Sequence, residues 1–427
     1  MQEIKDLMYI IGQKHLKLND WSIMDLLKVK SYDEAIFEIV KAFEKLNLKK
    51  TINLNILDAK DYILAEDIFS NENLPHFKKS TMDGYAINYL DSNGANESIP
   101  SVLNIKETIS MGKKPLKSLN RGETSQIFTG GMLPEGADAV IPIEYTEKMN
   151  DNLVLVYKPM HYLENVIDIG DDSKKGDLYF KRGKRIDSKT ISALASLGIS
   201  KVNVYDKLKA IIISTGDEII DIDKKLEDAK MRDINSYMLF SLLNDLNVEV
   251  IYRKHIVDDY EKIKQEIENN YDLVIVSGSS SKGEKDYIPL IGKELKPGLL
   301  FHGISIKPGK PTSLSINDKT MILGLPGNPV SCYAIFVSVF KKAWYKYFNI
   351  EDSFKIKAKL SRNIASNGGK TLVQLVDLYY KDDELIANPI FGFSNNISNV
   401  SKAKGFFILE ENSEGLFEDE YVKVELI

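Results

Sequence analysis

Residues 210–218 read Ala-Ile-Ile-Ile-Ser-Thr-Gly-Asp-Glu, an apolar run that ends in hydroxyl, glycine and carboxylate residues. The run predicts a buried strand over 210–214, with a ligand-binding loop where the strand ends. Between 200 and 350 similar apolar runs alternate with helical patterns, which predicts an α/β domain. The predicted strands are Ala210–Ser214, Glu249–Arg253, Leu273–Ser277, Gly303–Ile306 and Met321–Leu323. The predicted helices are Ile234–Leu246, Asp259–Asn269 and Asn328–Phe348.

The segments on either side of this domain have different sequence patterns. Before it, the Ser31–Glu34 pattern is a capping box that opens a helix, and a second helix is expected at Ser188–Leu197. Residues 50–165 alternate short apolar stretches with turn residues, which predicts a β-rich unit. Its strands are expected at Thr51–Leu57, Val102–Ile105, Glu123–Phe128, Ala139–Pro142 and Leu153–Tyr157. A small all-β module is expected at the end, with strands at Phe354–Leu360, Thr371–Leu378, Gly405–Leu409 and Tyr421–Leu426.

Composition excludes several classes of protein. The chain has 427 residues and a net charge of −6, which argues against an extended basic face for nucleic acid. A single cysteine, Cys332, excludes an intramolecular disulfide and zinc sites with two or more thiolates. The strongest apolar run, Cys332–Phe340, is far shorter than the roughly 20 residues that span a bilayer. Since the start also lacks a secretory pattern, we expect a cytoplasmic protein with no membrane partner.

Two motifs in the β-rich segment carry polar residues and glycines. Ser80-Thr-Met-Asp-Gly-Tyr-Ala86 contains an Asp-Gly pair, for which a β-turn is the simplest interpretation. The segment 129–140 reads Thr-Gly-Gly-Met-Leu-Pro-Glu-Gly-Ala-Asp-Ala-Val. Such a loop either offers backbone N–H groups to an anion or is a long hairpin connection.

Two further motifs follow strands of the α/β domain. In Ser214-Thr-Gly-Asp-Glu218 the small residues permit close approach of a phosphate, and the carboxylates could hold Mg²⁺. The alternative is that Asp217 and Glu218 cap the next helix. The segment 276–286, Val-Ser-Gly-Ser-Ser-Ser-Lys-Gly-Glu-Lys-Asp, is either a phosphate cradle or a flexible surface loop.

The last two motifs combine rigidity with an affinity for anions. Lys307-Pro-Gly-Lys-Pro311 holds two ammonium groups on a stiffened backbone, so they lose less freedom when both meet an anion. Residues 271–312 carry six lysines against four acidic residues, although the whole chain is negative. In Gly324-Leu-Pro-Gly-Asn-Pro-Val-Ser331 we expect Asn328 to cap a helix whose first residue is Pro329.

Taken together, the six motifs resemble the MoeA family of molybdopterin molybdenumtransferases, which includes the E-domain of gephyrin. The similarity rests on the order of STMDGYA (80–86), TGGMLPEGADAV (129–140), STGDE (214–218), SGSSSKGEKDY (277–287), KPGKP (307–311) and GLPGNPVS (324–331). The resemblance implies a multidomain α/β protein that forms a homodimer. Its parts would be a helical N-terminal extension (1–30), a split linker domain (31–72 and 166–200), an inserted β-rich domain (73–165), a molybdopterin-binding three-layer α/β domain (201–350) and a C-terminal β-barrel-like domain (351–427).

The resemblance also implies a reaction and a set of site residues. Molybdate would be inserted into adenylylated molybdopterin with Mg²⁺, and AMP would be released. The implied catalytic residues are Asp83, Thr129, Asp172, Glu218, Asp258, Asp286, Lys307 and Lys310, with Glu218 and Asp286 as metal ligands. The implied pterin and nucleotide pocket consists of Ser214, Thr215, Gly216, Gly278, Gly283, Pro326, Gly327, Asn328 and Pro329. The molybdopterin adenylyltransferase that makes the substrate is the expected handover partner.

The sequence departs from the family pattern at three positions. Ser279 replaces a glycine, Lys282 replaces an apolar residue, and Ile167 stands where an arginine is usual. Two alternatives therefore stay open on the same scaffold. One is adenylylation of molybdopterin itself, and the other is a non-catalytic molybdopterin-binding or scaffold protein.

Overall fold

The computed structural model describes residues 29–269, 271–279, 287–351, 354–366 and 368–427. Nearly all of the predicted helical extension, 1–30, lies outside these ranges, as does the segment 280–286. Along the described ranges no helix is both long and apolar enough to cross a bilayer.

The region that contains residues 210–218 forms one six-stranded sheet. Its strands, in spatial order, are Glu249–Ile256, Lys209–Thr215, Leu273–Ser279, Met321–Pro326, Ser313–Ile316 and Gly298–His302. The first four are parallel to one another, and the last two are antiparallel to their neighbours. The associated helices are Asn235–Asp245, Tyr260–Ile267, Tyr287–Glu294, Pro329–Ile335 and Lys341–Phe348.

Alternate side chains of these strands enter two separate cores. Ile212 packs in the same cluster as Leu239 of the helix Asn235–Asp245. Its neighbour Ile211 packs on the opposite face, with Ile263 and Ile288 of two other helices. Because successive residues of a strand point to opposite faces, the continuous run of isoleucines builds a three-layer α/β domain, as predicted.

Two details of the α/β prediction are corrected by the structure. The strand expected at Gly303–Ile306 lies earlier, at Gly298–His302, and Gly303 has a positive φ of 101°. The strand Ser313–Ile316 was not predicted, because its two serines give the segment a polar sequence although all four of its residues are buried. The long helix after Asn328 is present, with a π-helical stretch at Phe336–Phe340.

The C-terminal region closes into a five-stranded barrel. Its strands are Thr371–Lys381, Glu384–Pro389, Lys355–Leu360, Tyr421–Leu426 and Gly405–Leu409. Pairing of the first with the last closes the barrel, which confirms the predicted barrel-like module. The short strand Ile306–Lys307 of the α/β region extends this sheet alongside Thr371 and Leu372. A short helix, Ile397–Lys402, and the pair Ile364–Ala365 with Gly415–Leu416 complete the region.

The β-rich segment forms its own six-stranded mixed sheet. Its order is Ala139–Pro142, Gly84–Ile87, Glu123–Ile127, Ser101–Ile109, Leu153–Val156 and Thr146–Asn150. Two single turns of 3₁₀ helix, Tyr89–Ser92 and Ile143–Tyr145, flank these strands. Gly84 begins a strand, so a β-turn does not explain the Asp-Gly pair. A Cβ at Gly84 would lie 1.9 Å from the carbonyl oxygen of Ile141, so glycine permits the close approach of two strands.

Short ladders connect distant parts of the chain around this sheet. Thr51–Asn55 pairs with Lys201–Tyr205, Ile68–Phe69 with Leu178–Phe180, and Lys79–Ser80 with Val166–Ile167. The helix Tyr32–Leu46 has the predicted capping box at Ser31 and Glu34, and Ser188–Ser196 forms the other predicted helix. The ring of Phe43 stacks on Tyr347 at 5.0 Å, which ties the first helix to the α/β core.

Candidate functional site

A cavity of about 380 Å³ lies where three parallel strands of the α/β sheet end. Seven predicted pocket residues and the predicted catalytic residue Glu218 line it. The pocket residues are Ser214, Thr215, Gly278, Pro326, Gly327, Asn328 and Pro329. This is the edge at which parallel sheets bind ligands. Gly216, also predicted for the pocket, does not line this cavity. Its carbonyl oxygen lies 2.9 Å from His255 Nε2.

Gly278 is required by the geometry of this cavity. Its φ is +138°, and a Cβ there would lie 2.1 Å from the Thr215 hydroxyl oxygen. Gly327 approaches the same point from the neighbouring loop, since a Cβ on it would meet the Gly278 Cα at 3.5 Å. The glycines thus allow loops from adjacent strands to converge on the cavity.

Two buried residues that the sequence reasoning missed complete the cavity wall. Asp233 accepts hydrogen bonds from the Ser214 and Ser236 hydroxyls, both at 2.6 Å. Asn235 donates from Nδ2 to Ser277 Oγ and to the Gly327 carbonyl, both at 2.7 Å. The available signal was the Asp-Ile-Asn-Ser sequence at 233–236, where capping-type residues cluster at the start of the helix Asn235–Asp245.

Neither helix-capping prediction for the cavity residues holds. Glu218 is followed by the short strand Ile219–Ile220, which pairs with Met231–Arg232, and no helix starts there. Asn328 occupies the N-cap position but makes no side-chain cap. Its Nδ2 instead donates to Ser394 Oγ at 3.0 Å, which ties the cavity wall to the C-terminal region. Pro329 does begin the helix, as expected.

The two predicted lysines line a neighbouring cavity of about 660 Å³. Lys307 and Lys310 are joined there by Lys370 from the C-terminal barrel. The two cavities share Pro311 and Ser331, so they adjoin along one wall. Glu218 and the two lysines therefore line two different but adjoining cavities. The short strand Ile306–Lys307, which opens the lysine segment, pairs with the barrel strand at Thr371 and Leu372.

Family profiles match at 30–198 (MoeA N-terminal region, domains I and II), 211–344 (probable molybdopterin binding domain) and 357–427 (MoeA C-terminal region, domain IV). A Methanocaldococcus jannaschii protein assigned by name to molybdopterin biosynthesis is 35% identical over 418 residues, which are 95% of this chain and 99% of that protein. The chain belongs to the MoeA family.

Other MoeA relatives agree with this assignment. A protein of Staphylococcus epidermidis named molybdopterin molybdenumtransferase is 33% identical over 335 residues, 77% of this chain and 79% of its own. The crystal structure of a molybdopterin biosynthesis MoeA protein from Pyrococcus horikosii has a TM-score of 0.77 at 33% identity, and covers 93% of this chain and 99% of its own. The family predicted from the six motifs is therefore confirmed.

Four further predicted site residues, Asp83, Thr129, Asp172 and Asp258, line neither of these two cavities. Asp83 and Thr129 are exposed on the β-rich sheet and line neither cavity. Asp172 is exposed. The backbone N–H of Asp258 donates to Asp217 Oδ1 at 3.3 Å. Asp286, Gly283 and Lys282 lie outside the described residues. Within one chain, then, the structure does not bring the β-rich motifs to the cavity.

The oxygen-rich wall of the first cavity suits Mg²⁺. Within the described ranges no three His, Cys, Asp or Glu side chains form a group that could hold a metal. However, Mg²⁺ is commonly held by one or two carboxylates while substrate phosphates and water supply the other oxygens. Glu218 offers such a carboxylate beside the hydroxyls of Ser214 and Thr215. The donor set therefore fits a hard cation that a phosphate ligand helps to bind.

Proposed function

We propose that this MoeA protein is a molybdopterin molybdenumtransferase that inserts molybdate into adenylylated molybdopterin and releases AMP, with Mg²⁺ as cofactor. The observation that supports it most is the adjacency of the two cavities. One offers hydroxyls, glycines and a carboxylate at the strand ends, and the other offers three lysines. The relatives with this name and the molybdopterin-binding profile support the same activity.

The charges of the two cavities suit the two anionic substrates. In the proposal Lys307 and Lys310 bind molybdate, since two ammonium groups offset the charge of a dianion. Glu218 and Asp286 hold Mg²⁺, which neutralises phosphate oxygens as AMP departs. Ser214, Thr215, Gly278 and the Pro326–Pro329 turn shape the pocket for pterin and nucleotide.

We further propose that the active site forms between two copies of the chain. Asp83 and Thr129 of one subunit would face the α/β cavity of the other, and Asp172 and Asp258 would add acidic groups around the phosphoanhydride. The exposed position of the Asp83–Thr129 pair supports this arrangement, since a partner can reach it.

The domain boundaries and cellular context belong to the same proposal. The linker would comprise 31–72 and 166–200, the insert 73–165, the α/β domain 201–350 and the C-terminal domain 351–427. The protein would act in the cytoplasm and receive its labile substrate by contact with molybdopterin adenylyltransferase.

The direct test is incubation of the purified protein with adenylylated molybdopterin, molybdate and Mg²⁺, with AMP followed by chromatography. We expect AMP release that depends on both molybdate and Mg²⁺. Ligand binding without AMP release would favour a scaffold protein. Adenylylation of molybdopterin at the expense of ATP would favour the adenylyltransferase alternative.

A further inference from the structure

The Ser214 hydroxyl belongs to a hydrogen-bond chain whose donors can be assigned. Asp233 is buried and its Oδ2 lies 2.6 Å from both Ser214 Oγ and Ser236 Oγ. Asp233 Oδ1 accepts the backbone N–H of Ser236 at 3.0 Å. Behind them, Arg253 Nη1 lies 3.0 Å from Ser236 Oγ. These contacts link an arginine outside the cavity wall to a serine inside it.

The chemistry of the end groups fixes the direction of every bond in this chain. A guanidinium only donates and a carboxylate only accepts. Ser236 therefore accepts from Arg253 and gives its hydroxyl hydrogen to Asp233. Ser214 gives its hydrogen to the same carboxylate. Because a hydroxyl has one hydrogen, Ser214 keeps only lone pairs for the cavity that it lines.

Ser277, the register partner of Ser214 on the neighbouring strand, has the opposite polarity. Asn235 contacts both Ser277 Oγ and the Gly327 carbonyl through Nδ2. A carbonyl only accepts, so this atom must be the amide nitrogen, and Ser277 accepts from it. The Ser277 hydrogen thus remains for an acceptor. Cys332 lies behind it with a protonated thiol, which is a weaker acceptor than a ligand oxygen.

We propose that Asp233 is a positioning residue that makes the Ser214 hydroxyl a hydrogen-bond acceptor only. The cavity then binds the edge of a ring that carries an N–H donor, which faces Ser214, beside an acceptor atom, which faces Ser277. The inference rests on the proposed function. It places the pterin ring, whose edge carries such a pair, against Ser214 and Ser277 in the cavity wall. Phosphate oxygens carry only lone pairs and are disfavoured at Ser214. They are directed instead to the glycine loops and the cationic cavity.

Asp233→Asn tests this with almost no change of shape. The backbone N–H of Ser236 needs an acceptor, so the amide oxygen takes the Oδ1 position and the NH₂ group takes the Oδ2 position. The NH₂ group then donates to Ser214, whose hydrogen is released toward the cavity. By isothermal titration calorimetry we expect Asp233→Asn to weaken pterin binding about tenfold, the effect of one reversed hydrogen bond. Binding of inorganic pyrophosphate should not weaken.

Two further variants separate this role from a merely structural one. Asp187→Asn is the matched control, since Asp187 Oδ1 accepts from the backbone N–H and hydroxyl of Thr190 at another helix start, away from both cavities. It should leave both ligands unaffected. In a Ser214→Ala background, Asp233→Asn should have no further effect on pterin binding, because the hydroxyl through which it acts is gone.

The outcomes distinguish this inference from the proposed function. Equal weakening of pterin and pyrophosphate by Asp233→Asn, or unchanged pterin binding, would overturn the polarity argument. A wild-type protein that releases AMP in the full assay but binds no pterin would overturn it as well, while the proposed function stands. Failure of both AMP release and pterin binding would contradict the two together.

Discussion

One carboxylate oxygen of Asp83 accepts both the backbone N–H of Thr129, at 2.7 Å, and its hydroxyl, at 2.8 Å. The backbone N–H, followed by the hydroxyl, lowers the pKa of the Asp83 carboxyl below its ordinary value. This pair therefore presents a fixed negative charge on the exposed surface of the β-rich sheet throughout the neutral pH range. In the proposed dimer, that charge faces the partner's cavity.

Subunit mixing tests this arrangement. Asp83→Ala and Glu218→Ala dimers should each be nearly inactive, because every site lacks one group. After unfolding and refolding an equimolar mixture, activity should return to about one quarter of wild type, since half of the dimers are mixed and one of their two sites is intact. Each variant refolded alone serves as the control. Recovery no greater than in those controls would place both residues in a site within one subunit.

The lysine cavity should control the affinity for molybdate. Lys307→Ala or Lys310→Ala should raise the KM for molybdate by about tenfold or more, because a hydrogen bond to a charged group is worth roughly 1.5–3 kcal/mol. The KM for adenylylated molybdopterin should change less, since that ligand occupies the adjoining cavity. Lys319→Ala, an exposed lysine outside both cavities, is the control. A uniform rise in both KM values would argue against a molybdate-specific role.

Glu218 should set the requirement for Mg²⁺. Glu218→Gln keeps the shape of the side chain but removes the carboxylate charge, so half-maximal AMP release should need about tenfold more Mg²⁺. The exposed Glu227→Gln variant loses the same charge without touching the cavity. An unchanged Mg²⁺ titration curve for Glu218→Gln would remove this residue from the metal site.

Two adjacent glycines should respond differently to the same substitution. Gly278→Ala forces a side chain into positive φ and against the Thr215 hydroxyl, so it should lower the free energy of unfolding by about 2 kcal/mol or more. Gly327→Ala meets its nearest neighbour at 3.5 Å, an ordinary contact, and should cost much less. Urea denaturation of the two variants provides the comparison. Equal destabilisation would mean that the close approach at Gly278 does not decide the stability.

The cysteine should make stability fall at high pH. Complete burial raises the pKa of the Cys332 thiol from 9.0 to about 12. As the pH rises, the thiol ionises in the unfolded state before it does so in the folded state. This ionisation lowers the free energy of the unfolded state relative to the folded state. Stability is therefore lost through this window, by at most about 1.4 kcal/mol per pH unit.

The difference between wild type and Cys332→Ala isolates this effect from lysine and tyrosine ionisation. Urea midpoints at pH 8 and pH 10 should show a smaller decline for Cys332→Ala. Parallel declines would indicate that the thiol ionises in the folded protein as readily as in the unfolded one.

Local patterns were sufficient for much of the architecture. The capping box at Ser31, the isoleucine run at 211–213 and the strands Ala139–Pro142 and Gly405–Leu409 were predicted within a residue or so. Each depends on neighbours within a few positions, where backbone preferences and hydrophobic periodicity act. The order of the six motifs also indicated the family, because the order of motifs along the chain does not depend on which residues the loops contact in the folded protein.

The sequence by itself determined the layers of this protein and the loops that carry its polar residues. Only the tertiary structure decided that Asp233 and Asn235 form hydrogen bonds in the cavity wall. It also decided that Gly84 permits the close approach of two strands, and that Asn328 binds Ser394 instead of capping its helix. It also divided the lysines and Glu218 between two cavities. The physical reason is that these contacts join residues tens of positions apart, so their energies depend on how sheets and loops pack and leave no periodic trace along the chain.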